Sequence, residues 1–299
     1  MFTLPILKAG DKVEIIAPAS RCSDEDLKAL IELLTSWQLH CIVNDHIFGQ
    51  DLLCANSDAM RFESLKNALL NPETKAVICA RGGYGSLRLI PELAKVSPPS
   101  TPKLFIGMSD ITALHLFLQQ TWQWPVVHGA LAPNKLSLDS IAAVKSLLFG
   151  ETDHIEFRGE ALNLAAKKNA TIESTLTGGN LSLVQTSIGT IWQLDGREKI
   201  IFIEDVGERG YRIDRMLEHL RQSDMLKDTV AMILGDFTEG TEPNGTSLIN
   251  PVLERFASTC EIPVIKVQGI GHDPINHPLP FGTKVRLALG DNIKLTCIR

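Results

Sequence analysis

Ser109 stands in Phe105-Ile106-Gly107-Met108-Ser109-Asp110, Glu204 in Phe202-Ile203-Glu204-Asp205-Val206-Gly207-Glu208, and His272 in Gly269-Ile270-Gly271-His272. Each follows an apolar run or a glycine turn, where an α/β protein presents side chains to a cleft. A serine hydroxyl is a poor nucleophile until a base takes its proton, and the base needs a third group to orient it. Serine, histidine and carboxylate are the parts of an acyl-transfer centre, so the three point to a hydrolase.

Spacing alone leaves rivals at every position. Ser109 lies between a strand-like and a helix-like segment, so either it is a nucleophile lifted out of the sheet, or Ser109 or Asp110 is only an N-cap. In the first case the Asp110 amide is an oxyanion donor at the positive end of the helix dipole. Arg81-Gly82-Gly83-Tyr84-Gly85 closes another strand, and its glycines permit positive φ and close approach to a ligand. A second oxyanion N–H comes from Gly83 or, as second choice, Gly82. The alternative is a flexible turn. The loop is neither a P-loop nor a full dinucleotide fingerprint. Glu204 competes with Asp205 and Glu208 for the orienting carboxylate, and all three could instead pair with Arg209, Arg212 or Arg215. His272 competes with His277, and His115 and His128 also remain open. No metal-ligand spacing is present, so no metal and no cofactor is expected.

The elements that must carry these residues alternate in the first half. Lys12 to Ala17, His40 to Val43, Ala76 to Ala80 and Leu104 to Gly107 read as strands. Ser23 reads as the N-cap of a first helix, Asp58 to Leu70 as a second and Asp110 to Gln120 as a third. This βαβα order predicts a mostly parallel sheet with helices on both faces, over residues 1–150. From 151 to 172 the pattern is mixed and polar, and a linker is expected. Residues 173–299 predict a β-rich α+β, barrel-like domain. It starts with a Gly178-Gly179-Asn180 turn and ends in a hairpin, with Val285, Leu287 and Leu289 alternating before Gly290-Asp291-Asn292 and Ile293, Leu295 and Cys297 after it. Strands Lys199 to Ile203 and Val230 to Leu234 flank a helix from Ile213 to Ser223.

Composition narrows the partners. The 299 residues carry a net charge of -6, with no basic run to attract nucleic acid or an anionic membrane surface. No stretch approaches the roughly 20 apolar residues of a membrane span, and the start lacks signal-peptide character. The six cysteines have no C-x-x-C pair, which fits free thiols in a reducing cytoplasm.

With these motifs in their order, the chain resembles the LD-carboxypeptidases, serine peptidases of the S66 family, which also contains the microcin C self-immunity peptidases. The resemblance rests on KVEIIAPAS, RGGYG, FIGMSD, TGGNLSL, IEDVGERGYRIDRML and GIGH followed by Leu279-Pro280-Phe281-Gly282. It implies a triad of Ser109, Glu204 and His272, with Gly83 and Asp110 amides as the oxyanion hole. It implies a triad at the junction of two domains, often in a homodimer. The implied reaction removes the terminal D-alanine of a murein tetrapeptide, during cell-wall recycling in the cytoplasm. An exopeptidase must also hold a free carboxylate, and Arg81, Tyr84 and Arg212 are the candidates. The short stretch between Asn180 and Glu204 favours the murein enzyme over the immunity type, which cleaves peptidyl- or aminoacyl-nucleotide amides.

Three other readings are weaker. An ordinary α/β-hydrolase needs glycine where Ile111 stands. A glutamine amidotransferase needs a cysteine at the elbow, and Cys79 lies within a strand. A non-enzymatic two-domain binder would explain the glycine loops without a triad.

Overall fold

The computed structural model describes residues 3–299. In chain order the elements are β1 (Lys12–Ile16), α1 (Asp24–Ser36), β2 (His40–Val43), α2 (Asp58–Leu70), β3 (Thr74–Cys79), α3 (Ile90–Leu93), β4 (Leu104–Gly107), α4 (Thr112–Phe117), β5 (Val126–His128) and α5 (Leu138–Leu148). They continue with β6 (His154–Ala161), β7 (Thr171–Asn180), α6 (Leu181–Thr186), β8 (Ile200–Val206), α7 (Gly210–Gln222), β9 (Ala231–Thr238) and α8 (Ile249–Ser258). The chain ends with β10 (Val264–Val267), β11 (Leu279–Phe281), β12 (Lys284–Ala288) and β13 (Lys294–Ile298).

The first sheet runs β11-β5-β4-β3-β1-β2 and is parallel except for β11. Its central strands β4 and β5 are buried on both sides, as a parallel sheet covered on both faces requires. Ile15, Ile78, Ile106 and Val127 pack with Leu30 and Leu34 of α1 and Val144 and Leu147 of α5. Ile16, Val77 and Phe105 face the other way, onto Leu65 and Leu69 of α2 and Leu114 of α4. Ser23 caps α1, accepting from the Asp26 amide at 3.0 Å.

The second half is a closed barrel, β10-β6-β13-β12-β7-β8-β9. The expected terminal hairpin is present, with Val285 opposite Cys297 and Leu287 opposite Leu295. One apolar cluster runs from the α4 side of the sheet into the barrel, so the two halves share a core.

Three readings are corrected. Residues 151–172 are not simply a linker: β6 lies among them and joins the barrel between β10 and β13. Only Phe157 of β6 is buried, but exposed and more covered residues alternate along its whole length, the period of a strand with one face on the barrel. The 173–299 segment is not confined to the barrel, because β11 pairs antiparallel with β5 of the first sheet. Gly178-Gly179-Asn180 is the end of β7 rather than a turn, and the following LSLVQT is helix α6.

Candidate active site

The site is built where the ends of β4 and β8 approach the loop between β10 and β11. Ser109 opens a short 3-10 turn, Ser109–Ile111, directly after β4. Its φ is +60°, a left-handed backbone that costs an L-residue about 1–2 kcal/mol. Its hydroxyl makes no cap, so the N-cap alternative is not what the fold uses. The expected helix from Asp110 to Gln120 is a composite, this 3-10 turn leading into α4 and then a π-turn, Leu118–Trp122.

The glycine loop is fastened to the elbow through Asp110, a role the sequence did not reveal. Its carboxylate accepts from the amides of Gly85 at 3.2 Å and Ser86 at 2.8 Å, while Ser86 Oγ donates to the Asp110 carbonyl at 2.7 Å. The Asp–x–Ser geometry spans 24 residues of chain or more, so no local spacing rule could find it. Gly82 lies hard against the serine: a Cβ there would sit 2.9 Å from Ser109 Cβ and 2.8 Å from the Met108 carbonyl. Gly83, at φ +103°, faces Ser20 instead. The Gly82 carbonyl accepts from the Ser20 amide at 3.1 Å. In a trans peptide this turns the Gly83 N–H the opposite way.

Glu204 does not end its strand as expected. It sits inside β8, at a register irregularity against β9 between Ile203 and Asp205. Alternation of side chains along the strand sends the neighbouring carboxylates to opposite faces and different partners. Asp205 accepts from Asn180 Nδ2, from Ser182 N and Oγ, each at 2.9 Å, and from its neighbour Val206 N at 2.8 Å. Burial, with the nearby Glu204 charge, pushes its carboxyl up to about 6. Asp205 therefore anchors α6. Glu204 is fully buried, and its Oε2 accepts the Nδ1–H of His272 at 2.8 Å.

His272 is the histidine that reaches this carboxylate by a hydrogen bond. Burial lowers the affinity of its imidazole for a proton. The hydrogen bond and charge of Glu204, with Asp205 and Glu239 further off, outweigh that, and the net direction is upward from 6.5. The rivals lie elsewhere. His277 packs on Phe157 of the barrel, and burial pushes it down. His115 is fully buried against Phe105. His128 is fully buried behind Glu204, its Nε2 4.0 Å from Oε1.

Two tethers hold the elbow against these groups. Thr112 Oγ1 accepts from the Asn180 amide at 3.0 Å, and Asn180 pairs in register with Glu204. Met108 Sδ accepts from Asn276 Nδ2 at 3.2 Å. Asn276 belongs to the loop carrying His272, which is pinned to α5 by Asn276 N on Ser140 Oγ (2.9 Å) and Ser137 N on Pro274 O (2.7 Å). His272 Nε2 has no hydrogen-bond partner among the described residues, so none joins it to Ser109 in this state. Such bonds commonly tighten only when substrate is bound.

The carboxylate-binding candidates separate. Arg81 and Tyr84 flank the glycines beside Ser109, with the Arg81 guanidinium donating to the Arg21 carbonyl at 3.0 Å. Arg212 sits on α7, engaged with Glu208 at 3.3 Å and Tyr211 at 3.1 Å. Cys79 is buried, and burial pushes its thiol far up, which makes it a core residue.

The LD-carboxypeptidase N-terminal domain of the S66 peptidases matches residues 13–129, and the LD-carboxypeptidase C-terminal domain matches residues 173–287. A putative carboxypeptidase of Rickettsia conorii is 37% identical, over 98% of this chain and 95% of its own. A murein tetrapeptide carboxypeptidase of Pseudomonas aeruginosa is 30% identical over 91% of each. The crystal structure of a muramoyltetrapeptide carboxypeptidase from Oxalobacter formigenes superposes with a TM-score of 0.82 at 28% identity, covering 96% of this chain and 99% of that one. Two domain matches in order, full-length relatives and a shared two-part fold have one meaning: the chain belongs to the S66 family of LD-carboxypeptidases, which are serine peptidases.

Proposed function

We propose that this protein removes the terminal D-alanine of murein tetrapeptides with a Ser109–Glu204–His272 triad. The observation that carries the reading is the 2.8 Å pairing of His272 Nδ1 with the fully buried Glu204, together with a serine held at φ +60°. Because Nδ1–H is the donor, the lone pair of His272 lies on Nε2. His272 takes the Ser109 proton as Oγ attacks the carbonyl of the bond to D-alanine. Glu204 holds the ring and offsets the charge of the imidazolium. The tetrahedral oxygen lies between the amides of Gly83 and Asp110, each such donor lowering the barrier by roughly 3 kcal/mol. His272 then protonates the leaving amine, D-alanine departs, and water repeats the two steps on the acyl-serine.

Arg81, Tyr84 and Arg212 are the groups available to the free carboxylate of the substrate. Arg81 and Tyr84 are the nearer pair in sequence to the oxyanion loop. The relatives named as murein carboxypeptidases support this substrate. The same reading places the enzyme in cytoplasmic cell-wall recycling, as a homodimer that binds no nucleic acid or membrane. No helix among the described residues is long and apolar enough to cross a membrane.

Purified protein is incubated with a murein tetrapeptide, and free D-alanine is measured by mass spectrometry beside Ser109→Ala. Release by the wild type and not by the variant is the expected result. Release by both removes Ser109 from the mechanism. Cleavage of an aminoacyl-nucleotide amide with no release from the tetrapeptide would assign the immunity-type substrate instead.

A further inference from the structure

Behind the His272–Glu204 pair lies a second imidazole that the mechanism does not use. His128 ends β5, next to Gly107 of β4 and opposite Leu279 of β11. Its ring is stacked on Phe281 at 5.4 Å and tilted against Phe202 at 5.7 Å. Neither ring nitrogen has a hydrogen-bond partner among the described residues, and neither does Oε1 of Glu204. Buried polar atoms left unpaired are costly, and these two face each other at 4.0 Å. An apolar ring would pack between two phenylalanines at least as well, so packing does not account for an imidazole here. Closure of about 1 Å brings the pair to ordinary N–H···O length.

We propose that His128 is a positioning residue for Glu204: its Nε2–H is presented to Oε1 and fixes the carboxylate so that Oε2 stays aligned with the Nδ1–H of His272. The inference rests on the triad reading above. Burial supports it, because it holds His128 neutral, with its proton affinity pushed down to about 4 against the attraction of Glu204. A neutral imidazole has one N–H, and only the Nε2–H tautomer can donate to a carboxylate that accepts alone. The titratable groups around it are few. Glu204 faces it from β8 and His272 from the loop. His115 faces it from α4, with ring centres 6.4 Å apart. Asp205 and Glu239 act on His272 at longer range. Its neighbours on β11 contribute apolar contacts.

The test uses the full chain and reads the His272 ring by NMR titration, with kcat and KM beside it. His128→Phe keeps the packing and removes the donor, while His128→Gln restores an amide N–H near the Nε2 position. In H128F the His272 midpoint falls, because an unanchored carboxylate holds the imidazolium less well. The kcat drops roughly 10- to 100-fold, since ångström-scale misplacement of a catalytic group costs that much, and KM stays within about twofold. H128Q keeps the wild-type midpoint and most of kcat. The proposal is overturned if H128F leaves midpoint and kcat unchanged, or if both variants lose activity equally with an unmoved midpoint. Should H128F fail to fold, the wild-type ¹⁵N shifts decide by themselves: Nε2–H at His128 is required, and an Nδ1–H tautomer rejects the idea. If Ser109→Ala retains activity, the triad reading fails, whereas the His128 result is read from the ring titration alone.

Discussion

At Ser109 the left-handed backbone makes a prediction about stability that is separate from catalysis. Ser109→Ala and Ser109→Gly both lack the hydroxyl and both lose D-alanine release. Glycine accepts φ +60° without strain, so S109G unfolds with about 1 kcal/mol more stability than S109A in denaturant titration. Equal stabilities would mean that the elbow is not strained. His272 makes the pH prediction. It must be neutral to act as a base, and its proton affinity is raised by Glu204 against the effect of burial. The acid limb of kcat/KM therefore rises with pH through a midpoint above 6.5, and Glu204→Gln moves the limb downward. The pair's contribution to folding is complete below 6.5, the unfolded value, and is lost as pH rises through the folded one. Glycines and apolar runs mark Ser109 and His272 as candidates in the sequence, but spacing left His277, His115 and His128 open beside His272. The choice among Glu204, Asp205 and Glu208 was open too, because side chains alternate between the two faces of β8 and only the fold shows which face meets the histidine. Family resemblance, not spacing, named Glu204.

Between elements, close approaches leave little freedom. A Cβ on Gly178 would lie 1.8 Å from the Phe202 carbonyl, where backbone of β8 cannot yield. Gly178→Ala is expected to lower stability by at least about 3 kcal/mol, seen as a fall in Tm. Asp110→Ala leaves the Gly85 and Ser86 amides without their acceptor, at about 1–3 kcal/mol. Because the same carboxylate fixes the glycine loop, D110A also lowers kcat. A variant with wild-type Tm and kcat would remove Asp110 from that task. Alternating apolar segments announced most strands, and Ser23 announced its helix. β6 was legible as well: HIEFRGEA alternates exposed polar residues with more covered apolar ones, a strand period hidden only by the polar composition around it. The Asp110 tie escaped because its partners lie in a different loop, and pairing between loops leaves no mark on local sequence.

At the scale of the molecule, the sheet and the barrel are one folding unit. Residues 1–150 alone lack β11, which covers the β5 edge, and lack the barrel wall that buries one side of α4. That fragment is expected to be unfolded or aggregated by circular dichroism and proteolysis, while the full chain melts in one cooperative transition. A stable, monomeric fragment would show two independent units instead. The parallel sheet and the barrel could be foreseen from alternation and from the terminal hairpin. Their interlocking could not, since β11 is a three-residue segment whose partner lies far earlier in the chain. The loop with His272 runs from the last barrel strand of the parallel set to this late-arriving edge strand. With the proposed triad, the serine emerges during synthesis long before the histidine that would activate it. A nascent or truncated chain would then carry the nucleophile without its base, and hydrolysis would begin only after β11 has closed the sheet.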